Sequence, residues 1–151
     1  MLFRSMREGL ENAPLADMAE PGPKRLADEL RAFASALIAP DALALYRLIV
    51  ADGWRFPGLA RVFDHSGMRV IRQRIAALLE TGGIPGDQSQ ALAAEVVALA
   101  LGDAYQRAVL GIAEAGDGKA FARQIEVAAT HGFGRAARPS NRLAPKARRR
   151  R

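Results

Sequence analysis

The chain has 151 residues, half of them hydrophobic and none of them cysteine. It is long enough for a single domain whose core needs no covalent staple, and disulfides, thiolate metal sites and cysteine nucleophiles are excluded. Its formal charge of +6 misstates the body: eight of the 22 basic residues fall in residues 135–151, which hold no acid, so residues 1–134 set 14 basic against 16 acidic residues, a net of −2.

The N-terminal residues MLFRSMREGLENA lack the apolar core of a secretory signal. Residues 2–13 place Leu2, Phe3, Met6, Leu10 and Ala13 at helical spacing, and Pro14 limits the helix. Residues 14–23, with Pro14, Pro21, Gly22 and Pro23, read as a loop. The periodicity is clearest over 24–39, where Leu26, Leu30, Phe33, Ala34, Leu37 and Ile38 share one face and Lys24, Asp28, Glu29 and Arg31 take the other.

The stretch from Ala42 to Phe63 is expected to organise the rest. Asp41 caps a helix to Asp52 that is apolar on most of its circumference through Leu43, Leu45, Tyr46, Leu48, Ile49 and Val50, interrupted by Arg47. Such a helix is expected to be surrounded by others. Asp52-Gly53 stops it, and Trp54-Arg55-Phe56-Pro57 leads into a short helix over 57–66, with Pro57 in its first turn.

Gly67 is expected to interrupt before a helix over 68–81 that turns Ile71, Ile75, Leu78 and Leu79 inward and Arg69, Arg72 and Arg74 mostly outward. Thr81 to Gly86 is a breaker run, after which Asp87 caps the next helix, with Gln90 three residues on. That helix, 88–112, is apolar on nearly every side through Leu101. Its longest apolar run, Ala91 to Leu101, is well short of the about 20 residues a membrane span needs. It has more apolar surface than one core face absorbs, and the spare face with Ala94, Ala98 and Gly102 is expected to self-associate. A last helix over 117–131, with Phe121, Ile125, Ala128 and Ala129 on one face, ends at Gly132-Phe133-Gly134, and 135–151 is expected to be a basic, disordered tail. No stretch alternates like a strand. The expectation is an all-α bundle of about seven helices over 1–134.

Four stretches resemble the C-terminal regulatory domain of TetR-family (tetracycline-repressor-like) transcriptional regulators, in the AefR-like subset. They are Leu2-Phe3-Arg4; Ala44 to Asp52 followed by Arg55-Phe56-Pro57-Gly58-Leu59-Ala60; Ile71 to Leu79; and Leu92 to Leu101. The second is the most specific, a tyrosine-arginine-leucine helix with an acidic end before a phenylalanine-proline start. The resemblance spans roughly residues 2–130. It implies a helical domain that encloses a small-molecule pocket and pairs its last two long helices with those of a second subunit. On that basis Ala94, Ala98, Leu101, Gly102, Phe121 and Ile125 are candidates for a dimer interface. Ligand binding in such regulators changes the spacing of helix-turn-helix domains, and half-site spacing controls operator affinity. This chain starts at the helix that follows that domain, so operator reading is expected to depend on a domain it does not carry. Truncation, a late start codon and a natural half-regulator all remain open.

Phe33, Tyr46, Trp54, Phe63 and Tyr105 are candidates to line a pocket, against ordinary core packing for any one of them. Arg47 needs a partner if buried: an anionic ligand, or Asp52 or Glu95. His65 and His131 lack the i, i+4 histidine partner of a helical metal pair, and His65 beside Asp64 reads as a helix-end polar residue. Asp87, Glu95 and Asp103 fall on one helical side without forming a carboxylate pair, Glu95 being isolated. Thr81-Gly82-Gly83 lacks the lysine and strand of a phosphate loop. Arg69, Arg72 and Arg74 read as a solvated face.

The expected function is therefore ligand sensing and homodimerisation in a cytoplasmic regulator, not catalysis, with no metal and no cofactor. One alternative is an interaction protein that forms heterodimers with related regulators and withholds them from DNA. The other is a small nucleic-acid-associated protein whose tail binds weakly by counterion release, without an aromatic to stack on bases.

Overall fold

Three helices of this chain open on proline, whose missing N–H is no loss in a first turn and whose fixed φ already suits the helix. The computed structural model describes residues 21–114 and 117–136. Among these there are six α-helices and no strand: α1 (Pro23–Leu37), α2 (Pro40–Asp52), α3 (Pro57–Phe63), α4 (Arg69–Thr81), α5 (Gly86–Leu110) and α6 (Asp117–Ala136), with a π-helical turn, Asp64–Met68, joining α3 to α4. The all-α architecture is as expected, with one helix fewer than the count of about seven. The helix expected over 2–13 and the tail from residue 137 lie outside the described residues. No single helix among the described residues is long and apolar enough to cross a membrane.

The core is built by four helices. Leu26, Leu30, Phe33 and Leu37 of α1 meet Ile71, Ile75 and Leu79 of α4, Leu92, Val96 and Val97 of α5, and Ile125, Ala128 and Ala129 of α6. Helices α5 and α6 run antiparallel, as three contacts in reversed order show: Glu95 with His131 at 3.2 Å, Leu99 O with Gln124 Nε2 at 2.8 Å, and Arg107 with Asp117 at 3.0 Å. Two further pairs, α1 with α6 and α1 with α4, are tied by charge. Arg31 of α1 donates to Glu126 of α6 and, at 2.6 Å, to Asp28. Arg74 of α4 grips both carboxylate oxygens of Glu29 on α1 at 3.0 and 3.3 Å, so it faces a neighbouring helix and is not part of an outward basic face. Arg69 and Arg72 do lie half-exposed, reaching Asp64 at 3.5 and 3.9 Å.

Several expectations are corrected. Helix α2 does not organise the fold. It buries only Ala42 and Leu45, while Leu48 and Val50 are 50% and 63% exposed. The chain bends by 71° between α1 and α2, which carries α2 away from the four-helix core and leaves one of its sides uncovered. Asp41 and Asp87 are not caps. Each sits in the first turn behind an N-cap residue, Ala39 and Pro85 respectively, where its charge favours the positive helix end without a side-chain bond. Ser89 is the polar side chain engaged there, its buried hydroxyl donating to Glu80 Oε1 at 2.5 Å and so fastening α5 to α4. Gly67 does not interrupt: it is buried inside the π-helical turn, and the helical path runs on into α4. Gly132 and Gly134 do not end α6, which continues to Ala136. At Gly67 and Gly132, which are buried, packing overrides a weak intrinsic propensity.

The link between α5 and α6 is held by a charge clamp. Arg107 contacts Asp117 at 3.0 Å and Glu114 at 3.7 Å, and the Glu114 backbone N–H donates to Asp117 Oδ2 at 2.8 Å. The Glu114 N–H, followed by Arg107, holds the Asp117 carboxyl below its ordinary 3.8. A depressed folded-state pKa contributes stability that is full well above 3.8 and is lost as pH falls through that value towards the lower folded one. Asp117→Asn is therefore expected to flatten the fall in Tm between about pH 6 and about pH 3 relative to the parent chain. Parallel slopes in a thermal-melt series would show that the clamp has no such part.

Candidate functional site

Three ring-bearing residues from three elements converge. Tyr46 comes from the middle of α2, Phe63 from the last residue of α3, and Tyr105 from the second half of α5. The Tyr46 ring centroid lies 5.8 Å from that of Phe63 and 5.6 Å from that of Tyr105, with tilted planes in both pairs. These are distances at which aromatic quadrupoles attract. Phe63 and Tyr105 are buried and Tyr46 is half-buried. Burial disfavours the phenolate, and together with Tyr46 it pushes the Tyr105 pKa up to about 12. The Tyr105 hydroxyl therefore keeps its proton at neutral pH and can donate as well as accept a hydrogen bond.

Arg47 sits beside this cluster, and its partners are main-chain carbonyls, not the carboxylate of Asp52 or Glu95. Its Nε donates to Val109 O at 2.6 Å and its Nη2 to Ala108 O at 2.8 Å. These carbonyls belong to the last turn of α5, where helical acceptors run out of partners and a cation is favoured by the helix dipole. Arg47 thus closes the end of α5 and ties α2 to it. Arg47→Ala is expected to cost about 1–2 kcal/mol of stability and to leave the overall helical signal intact, as measured by urea unfolding followed by circular dichroism.

The other candidates are dispersed. Phe33 is packed in the main core with α1. Trp54 is 80% exposed, its Nε1 donating to Ala51 O at 3.0 Å and the Arg55 guanidinium lying 5.8 Å from its ring centroid. Of the six pocket candidates, the structure brings together Tyr46, Phe63 and Tyr105, sets Arg47 beside them, and separates Phe33 and Trp54.

The interface candidates divide in the same way. Ala94 and Ala98 are exposed on α5, Leu101 and Gly102 are half-buried, Phe121 of α6 is half-buried and packed against the core, and Ile125 is buried between helices. Two exposed apolar side chains not singled out from sequence extend this face: Leu99 at 40% and Val127 at 57%. Helical spacing from Ala91 through Ala94 and Ala98 would have included Leu99; Val127 falls opposite the buried stripe of α6. Glu95 is not isolated, since it meets His131 across the two helices. His65 is exposed in the π-helical turn. Among the described residues no group of three or more His, Asp or Glu is placed to hold a metal ion.

The family model for the C-terminal domain of AefR-like transcriptional repressors covers residues 24–135, from α1 to the end of α6. No curated protein and no solved structure matches the chain.

Proposed function

Because this chain belongs to the AefR-like C-terminal domain family of TetR-type repressors, we propose that it is a ligand-sensing, homodimerising regulatory domain acting in the cytoplasm, with no catalytic role. The observation that carries the reading is the outer face of the α5–α6 hairpin. Two long antiparallel helices leave Ala94, Ala98, Leu99 and Val127 exposed. Small and apolar side chains on two adjacent helices allow the close approach of a second such pair. The ring cluster of Tyr46, Phe63 and Tyr105 is the proposed place for a small molecule, because it unites aromatic walls with two phenol hydroxyls. Control of DNA binding by helix-turn-helix domains completes the proposal.

Light scattering across a concentration series tests it. The parent chain is expected to run as a dimer, and Ala98→Glu as a monomer with an unchanged circular-dichroism spectrum, since a carboxylate on that face would be desolvated without a partner. A parent that stays monomeric throughout the series sinks the reading. A thermal-shift screen with neutral aromatic compounds tests the sensing half. A compound that raises the Tm of the parent but not of Tyr46→Ala places the ligand at the ring cluster.

A further inference from the structure

Helix α5 is broken at Gly102. Its φ of +36° and ψ of −144° lie where L side chains are not found and glycine is, so residues 86–101 and 103–110 are two helical pieces, not one rod. Leu99, three residues before the break, has its carbonyl taken by a side chain of α6: Gln124 Nε2 donates to Leu99 O at 2.8 Å. The same Gln124 amide fills the space that a Cβ at position 102 would need. The break and its plug therefore fit one another.

The two pieces serve different neighbours. The far piece carries Tyr105 into the ring cluster, offers the Ala108 and Val109 carbonyls to Arg47, and is clamped to the start of α6 by Arg107 and Asp117. The near piece carries Ala94, Ala98 and Leu99 on the outer face, with Glu95 meeting His131. A second irregularity, the π-helical turn from Asp64, begins immediately after Phe63 on the other side of the cluster. Single π-helical turns are frequent at functional sites.

We propose that Gly102 is a joint, plugged by Gln124, that lets the ring-cluster piece of α5 move against the piece presenting the outer face. The joint stands on the geometry of α5 alone; its consequence for assembly rests on the reading of that face as a dimer interface. A molecule that displaces Tyr105 or the Arg47 tether then shifts the far piece, and the near piece changes how it meets a second copy.

The absence of cysteine makes the test clean. Gln90→Cys and Gln106→Cys, both at exposed positions, take spin labels in the full chain diluted with unlabelled protein. In a continuous helix the two positions lie about 24 Å apart along the axis. The parent is expected to give a shorter or broader distance distribution than Gly102→Ala with Gln124→Ala, a pair that removes both the break and its plug. Coincident, equally narrow distributions overturn the joint. If the double variant does not fold, the parent decides alone: one narrow distance at the straight-helix value overturns the proposal, and a shortened or broad one supports it. The link to assembly is read from Arg47→Ala, which is expected to change the dimer dissociation constant by about threefold or more in the parent and by less in the double variant. Equal changes in both backgrounds overturn the coupling. A chain that is monomeric throughout removes the dimer reading and the coupling, while the label distances still judge the joint.

Discussion

Leu79→Ala is expected to lower the unfolding free energy by about 2–5 kcal/mol, the range for truncating a fully buried leucine. Leu79 has no exposed surface and stands where α4 meets α1, α5 and α6. Its Cδ2 lies 3.5 Å from where a Cβ on Gly132 of α6 would be, and Leu26 of α1 and Val96 of α5 close the same junction. Four helices share this point, so none can move in to fill the space without losing contact elsewhere, and the variant is expected towards the upper part of that range. Urea unfolding at one fixed protein concentration measures it, since self-association would make the midpoint depend on concentration. A loss under about 1 kcal/mol would mean that the junction collapses freely and is not close-packed.

Gly132→Val is the second large effect, and it probes the same junction from the opposite direction. A Cβ at position 132 would stand 2.8 Å from Leu26 Cδ2 and 3.2 Å from Val96 Cγ2. Valine adds two further methyl groups to that closed space, and overpacking of this kind costs about 1–3 kcal/mol or more. The substitution regains a few tenths of a kcal/mol of helix propensity, because glycine is the poorer residue in a helix interior, and that does not offset the clash. Gly132→Ala separates the two effects. It gains about 1 kcal/mol of propensity against two close contacts with side-chain methyl ends, Leu26 Cδ2 and Val96 Cγ2, so it is expected within about 1 kcal/mol of the parent. A valine variant as stable as the alanine one would show that α6 does not approach α1 this closely.

Much of the fold was legible because it follows from local rules. The seven-residue rhythm of Leu26, Leu30, Phe33 and Leu37 places α1 and its buried face, and the four-residue spacing of Ile71, Ile75 and Leu79 places α4. The Thr81 to Gly86 breaker run marks a real turn, in which Gly83 takes a φ of +94°. Helix ends were less legible, since a cap depends on the neighbouring backbone: Asp41 and Asp87 have a capping residue's chemistry but sit in the first turn, one residue or more too late to cap. Glycine does not break the helical path at Gly67 and Gly132, both buried, where tertiary packing outweighs a propensity of about 1 kcal/mol.

The candidate site divides along the same line. Apolar and aromatic residue types identified Tyr46, Phe63 and Tyr105, but nothing in their spacing distinguished them from Phe33, which went to the main core, or from Trp54, which went to solvent. The partner of Arg47 was invisible in principle, because it is the main chain of residues 62 and 61 positions away, and every residue offers the same carbonyl.

By itself, then, the amino-acid sequence determined the helical class, the approximate bounds of each described helix, the face of each amphipathic one and the regulatory family. All of these depend on interactions within a turn or two of chain or on a pattern of residue types. The tertiary structure alone decided which helices enclose the core, that α2 lies at its side, that Gly102 breaks α5 and is filled by Gln124, and which rings meet. Those outcomes turn on how separate helices cross. A helix as uniformly apolar as α2 or the first half of α5 carries no directional signal to say which of its sides a neighbour will cover.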